Sequence, residues 1–195
     1  MATGTGKQGG FEAMSDHNRY AVRIVPYSSD WSLEFDKEKK LLMEIMAPHI
    51  AVMEHIGSTS IPQQEAKPII DIFAAVHPFL VYTVYAELLD HSGYRYVETG
   101  MIGRHLFAKE LAGTRTHHLH ILPLEGLYER NELLFRDYLR AHPDLVKQYG
   151  ELKRMLAEQH GSDPESYTRA KTSFIQRVVD WARTERGLPL EKVWD

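Results

Sequence analysis

The sequence predicts an α/β (α+β) fold, a small mixed or antiparallel sheet with flanking helices and a C-terminal helical region. Three observations predict it. Ile50, Val52, Glu54 and Ile56 alternate with Ala51, Met53 and His55, the period-two pattern of a half-buried strand. Pro68 to Val76 (PIIDIFAAV) is a second strand, apolar on both faces except at Asp71. The last third carries apolar residues at spacings of three and four, which marks amphipathic helices. With 195 residues, 43% of them hydrophobic, the chain fits one domain, with or without a helical extension, and can fill a substantial core.

Residues 1–18 are rich in glycine and polar side chains and are expected to form a disordered tail. Tyr20 to Val25 alternates as a short first strand, and Pro26 to Asp30 turns the chain, with Ser29 or Asp30 as the helix cap. Trp31, Phe35, Leu42, Ile45 and Met46 then recur at helical spacing, while Glu34, Lys37, Glu38 and Lys40 take the other face. After the two central strands, Phe79 to His91 reads as a helix buried through Leu80, Val84, Leu88 and Leu89 and ended by Gly93. Tyr94–Glu98, Arg104–Lys109 and Thr116–Leu122 read as a meander of three strands. Asn131 caps a first late helix, Pro143 opens a second, and a third runs unbroken from Pro164 to about Arg186 through Tyr167, Phe174, Val178 and Trp181. The resulting units are an α/β core over 19–125, a helical region over 126–186 and a tail over 187–195 in which Trp194 docks.

Composition narrows the chemistry. The absence of cysteine excludes disulfides, thiolate zinc sites and a cysteine nucleophile. A formal net charge of −4 argues against a large nucleic-acid surface. There is no apolar run of membrane-spanning length and no signal-peptide core, so a cytoplasmic protein is expected. Neither a phosphate-binding loop ending in Gly-Lys-Ser/Thr, nor a dinucleotide glycine fingerprint, nor a nucleophile elbow is present.

The chemistry is expected between Glu54 and Val76. Gly57-Ser58-Thr59-Ser60 is a turn of small residues whose amides and hydroxyls can face an anion. An ionised Asp71 inside an apolar strand is costly unless a metal, a lysine or a ligand meets it. His118 and His120 lie two apart and share a strand face; His117 points the other way. Beside Asp71 they would complete a His-His-Asp metal site; otherwise one packs and the other bonds the backbone. Glu54 is a candidate general base or extra metal ligand, or else pairs with a basic residue such as Lys67 or Arg104. Lys67 contacts a phosphate, or else neutralises Asp71 directly.

These segments carry a family resemblance. HIGSTSIP followed by AKPIIDI resembles the signature of the GrpB family, and the likeness runs from about Tyr20 to Arg183 through VPYSSDW, HHLHIL, FRDYLRAHP, YGELK and YTRAK. The resemblance implies a nucleotidyltransferase-like fold, in which a Gly-Ser turn holds nucleotide phosphates and a strand bears two carboxylates one residue apart for divalent ions. Gly57-Ser58 and Asp71 match; the second carboxylate position is Phe73, which cannot bind metal. Gln63-Gln64 stand where the family usually has Gly-Leu. The resemblance further singles out Lys171 with Tyr167, and then Arg136, as helical residues reaching the cleft.

The implied function is binding of a nucleotide or phosphorylated small molecule, with nucleotidyl transfer to an unnamed acceptor as the leading reaction. The implied cofactor is magnesium or manganese, or zinc if the histidines ligate. The alternatives are a non-catalytic binding module and a His/Asp metal-dependent phosphoesterase. Family members are also seen joined to dephospho-coenzyme A kinase, an association with coenzyme A or nucleotide metabolism. Oligomeric state is left open.

Overall fold

A computed structural model describes residues 22–193. The expected tail over 1–18, the start of the first strand and the docking of Trp194 lie outside the described residues. Five strands form one sheet: β1 (Ile50–Ile56), β2 (Ile70–Val76), β3 (Tyr94–Val97), β4 (His105–Leu111) and β5 (Thr114–Pro123). Their order is β1-β2-β5-β4-β3, antiparallel throughout except that β2 and β5 run parallel. The mixed sheet with flanking helices is the expected class. Val25 forms only an isolated bridge to Ala66.

Alternation along the strands divides the sheet into two working faces. One face packs against α1 (Asp30–Met46) and α2 (Tyr82–Leu88). There Trp31, Phe35, Leu42 and Met46 meet Met53, Ile72, Phe107 and Ile121, all buried. On the other face Ile56, Phe73, Ala75 and Leu122 pack with Leu127 and Leu133 beneath the helical region. That region comprises α3 (Asn131–Ala141), α4 (Pro143–His160), α5 (Pro164–Ala170) and α6 (Thr172–Glu185). Its helices share a small core of Leu139, Val146, Tyr149, Phe174 and Val178, and Ile61 joins it from the turn after β1.

Several expectations change for local reasons. Glu38, placed on the solvent face of α1 by periodicity, is buried because Lys109 of β4 reaches it with contacts of 2.9 and 3.0 Å to its two oxygens. The helix expected over 79–91 shortens to α2. The Tyr85 hydroxyl accepts the Leu80 N–H at 2.9 Å, the Leu80 carbonyl meets His105 Nε2 at 2.9 Å, and Phe79 stacks on that imidazole. These contacts hold residues 79–81 outside the helix. The last helix breaks at Lys171 into α5 and α6. Trp181, expected inward, is exposed on α6, while Phe174 and Val178 are buried. Asp163 caps α5 by accepting the N–H groups of Glu165 and Ser166, both at 3.1 Å.

Candidate functional site

Strand register assembles the site. Asp71 on β2 stands opposite Ile56 on β1 and His118 on β5, so all three project to the face under the helical region. Two residues further on, Phe73 stands between Glu54 and His120. The parallel pairing of β2 with β5 therefore brings Asp71 beside both histidines. His118 Nδ1 lies 2.8 Å from Asp71 Oδ1, and with Nδ1–H donating to the carboxylate, Nε2 keeps its lone pair. His117 points to the opposite face, toward Glu38 at 3.9 Å.

The Gly57 turn closes over the carboxylate. Gly57 has φ +70°, a left-handed conformation that favours glycine, and a Cβ there would press on the Asp71 carboxylate and lie 3.0 Å from its Cβ. Ser58–Ser60 form one turn of 3-10 helix. Only part of this turn is available to a ligand. Ser60 donates its hydroxyl to the Gly57 carbonyl at 2.6 Å, and its own carbonyl accepts from Arg140. Thr59 donates to the Ile69 carbonyl at 3.0 Å and meets His55 Nε2 at 3.1 Å. His55 is buried, stacked on Phe35, and its pKa is pushed down to about 4, chiefly by burial. A neutral imidazole thus anchors the turn from behind. The hydroxyls of Thr59 and Ser60, expected to contact phosphate, are engaged within the framework here, while Gly57, Ser58 and Thr59 line the cavity and Ser58 lies beside Tyr149.

The cavity has a volume of about 760 Å³ and lies between the sheet and the helices. One wall carries Lys67 from the segment before β2, Lys153 from α4 and Lys171 from the break between α5 and α6. Lys67 and Lys171 sit 5.1 and 4.3 Å from the Tyr167 ring centroid, and Lys153 sits 4.6 Å from that of Tyr149. The ring faces offset part of the charge. Among the described residues, none of the three ammonium groups makes an ion pair; Lys153 donates to the Glu65 carbonyl. Burial lowers the pKa of all three. Lys171 falls to about 8, where Lys67 adds to the lowering and Asp71 opposes it. Lys153, one of several basic residues scattered along the helices, was not distinguished by sequence from a solvated helix face. The signal was its spacing of four from Tyr149.

Arg104 forms the other wall, with Arg130 near it. Its Nε–H donates to His120 Nδ1 at 2.9 Å, Nη1 bonds the Glu132 carboxylate of α3, and the guanidinium carbon lies 5.0 Å from the Phe73 ring centroid. Burial, reinforced by Arg104, pushes the His120 pKa well below its ordinary value. The neutral ring carries its proton on Nε2, so neither nitrogen offers a lone pair to a cation.

The ligand atoms of Asp71, His118 and His120 lie within 4.8 Å of one another, a group of metal-binding type. The donor set fits an ion only in part. Asp71 and His118 are available, His120 is engaged by Arg104, and Phe73 supplies nothing. Glu54 follows the alternative expected of it, a basic partner, though a different one. It bonds Arg136 Nη1 at 2.7 Å, lies outside the cavity lining, and pairs with neither Lys67 nor Arg104. Arg136 also donates to the His55 carbonyl at 2.8 Å, which fixes α3 to the end of β1. Asp71 takes His118 as its partner where Lys67 was an alternative.

The profile of the GrpB protein family matches residues 21–180. The glutamate-rich protein GrpB of Alkalihalophilus pseudofirmus is 38% identical over 168 residues, covering 84% of this chain and 97% of that protein. The protein YqkA of Bacillus subtilis is 39% identical over 163 residues, 83% of this chain but only 47% of YqkA, so the chain spans about half of that relative. The crystal structure of GrpB from Enterococcus faecalis superposes with a TM-score of 0.75 at 33% identity, covering 85% of this chain and 99% of that one. A terminal uridylyl transferase from Trypanosoma brucei reaches only 0.45 at 16% identity, covering 84% of this chain and 60% of that one, too loose a likeness to bear on activity. Among the described residues no helix is long and apolar enough to cross a membrane.

Proposed function

The chain belongs to the GrpB family, and from that premise we propose that its cavity binds a nucleotide or another phosphorylated small molecule. One observation carries this reading: three desolvated lysines converge beside the Gly57-Ser58 turn, none of them ion-paired among the described residues, with Asp71 and Glu65 offsetting their charge only from a distance. Burying like charges together is unfavourable, and an anion bound between them offsets that cost. The Ser58 hydroxyl and the lysines hold the phosphates, and Tyr167 and Tyr149 keep the lysine stems in place.

Nucleotidyl transfer is the reaction proposed for the bound nucleotide. The acceptor oxygen bonds to the α-phosphorus, the bond from that phosphorus to pyrophosphate breaks, and the hydroxyl proton passes to His118 Nε2. Asp71 orients that imidazole through Nδ1. With Asp71 as protein ligand and phosphate oxygens around it, magnesium or manganese is the fitting ion; if His118 turns a lone pair to it, zinc is. Such an ion supplies charge compensation at the phosphates. The second reading, a binding module without turnover, is favoured by one observation, the phenyl ring at position 73.

A thermal-shift titration with ATP, GTP, CTP and UTP, each with and without magnesium, manganese or zinc, tests the proposal. A nucleotide-dependent rise in melting temperature is expected, with its metal-dependent part lost in Asp71→Ala. Pyrophosphate release by the wild type selects transfer, and saturable binding without release selects the module. No shift with any nucleotide overturns both.

A further inference from the structure

We propose that the Arg104 guanidinium stands in for a second divalent ion, so that the site neutralises its phosphates with one ion at most. The inference rests on the phosphate-binding reading above. A second ion at such a cleft needs ligands next to Asp71 on the same face; Glu54 of β1 is closed there by Arg136, and the two positions left are Phe73 and His120. Neither is free to serve. Phe73 has no donor atom, and its buried ring is covered by the guanidinium at 5.0 Å. His120 accepts the Arg104 Nε–H at 2.9 Å, which uses the lone pair that a metal would take.

A cation therefore already occupies this position, and it is covalently part of the chain. It is also held in place. Nε is fixed to β5 through His120, Nη1 is fixed to α3 through the Glu132 carboxylate, and Phe73 supports one flat face. Among the described residues Nη2 has no hydrogen-bond partner, and Arg104 lines the cavity. A guanidinium fixed at two corners with a third open matches phosphate oxygens in geometry and charge, and it keeps its charge at any physiological pH. Glu132 offsets part of that charge, as carboxylate ligands do for an ion. Phe73 and the arginine above it form one arrangement: where the strand offers no ligand for an ion, a fixed cation stands in its place.

The test is calorimetric titration of ATP and of inorganic pyrophosphate into the full chain, in EDTA and in manganese, with the bound manganese counted by electron paramagnetic resonance. The wild type is expected to bind both probes in EDTA and to take up a single manganese ion per chain. Arg104→Ala is expected to weaken binding in EDTA by about ten- to hundredfold, the loss typical of a charge-assisted contact. Arg104→Lys, which keeps the charge but not the fork, guards against a folding artefact and is expected to fall between the two. Unchanged binding in Arg104→Ala, or two manganese ions per wild-type chain, overturns the inference while leaving the phosphate site standing. No binding of either probe to the wild type in either condition overturns the phosphate-binding reading itself, and this inference with it.

Discussion

The two faces of the sheet handle buried charge in opposite ways. On the face under α1 and α2, Glu38 receives Lys109 on both oxygens, with His117 nearby, buried His55 is neutral, and most of the rest is apolar packing. On the face under the helical region, Glu54 is closed by Arg136 in the same fashion, but Lys67, Lys153 and Lys171 are left without ion pairs among the described residues. A buried pair formed inside one molecule is structural, since each partner offsets the other's charge and losing either leaves one uncompensated. Charges gathered in a cavity and left unmatched raise the energy of the empty state, and a fold retains them where a ligand supplies the missing charge. The same alternation of side chains along β2 and β5 thus builds a core on one side and a cleft on the other.

If that division holds, substitutions on the two faces should separate stability from binding. Phe107→Ala on the core face should have the largest effect, a loss of about 3–5 kcal/mol in urea denaturation, as for other buried aromatic truncations. Phosphate affinity, measured at temperatures where the variant is folded, should be retained. A parallel loss of affinity would mean that the faces are coupled. Lys171→Met should do the reverse. Removing one of the crowded, desolvated charges should stabilise the ligand-free protein by about 1 kcal/mol, while pyrophosphate affinity falls by about tenfold. A destabilised Lys171→Met would identify this lysine as structural and sink the contrast.

The legibility of the two faces differed in the same way. The period-two runs of β1, β2 and β5 could be read directly, because a strand's alternation is local. The joint appearance of Asp71 with His118 and His120 was also legible, given residues two apart on a strand expected near β2. What could not be read was which partner each charge would find. Glu54 meets Arg136 and Arg104 meets Glu132 only once α3 docks, and no spacing rule reaches across that distance. Glu38 and Lys153 had the periodicity of solvated helix faces, yet both are buried by elements remote in sequence. Lys171 was singled out with Tyr167 by the family resemblance and not by its periodicity. The break between α5 and α6 places it at the cavity wall, and the approach of Lys67 to the same Tyr167 ring is a tertiary contact that no local pattern announces.

The smallest expected effect is also the most specific to the unmatched charges, since it concerns their protons. Lys171 titrates near 8 in the folded chain because burial, and then Lys67, disfavour its charged form; Lys67 and Lys153 are displaced in the same direction. In the unfolded chain a lysine titrates near its ordinary value of about 10.4. Between these values the unfolded state binds more protons than the folded state, so stability must rise with pH. From pH 8 to 9.5, below the range in which tyrosines ionise, the ligand-free protein should become more resistant to urea. Over the same interval pyrophosphate affinity should fall, because the ammonium that receives the phosphate is being lost. In Lys171→Met both slopes should flatten. Stability and affinity that move together with pH would show that the lysines are paired in solution, and the distinction between a closed face and an open one would fail at its central point.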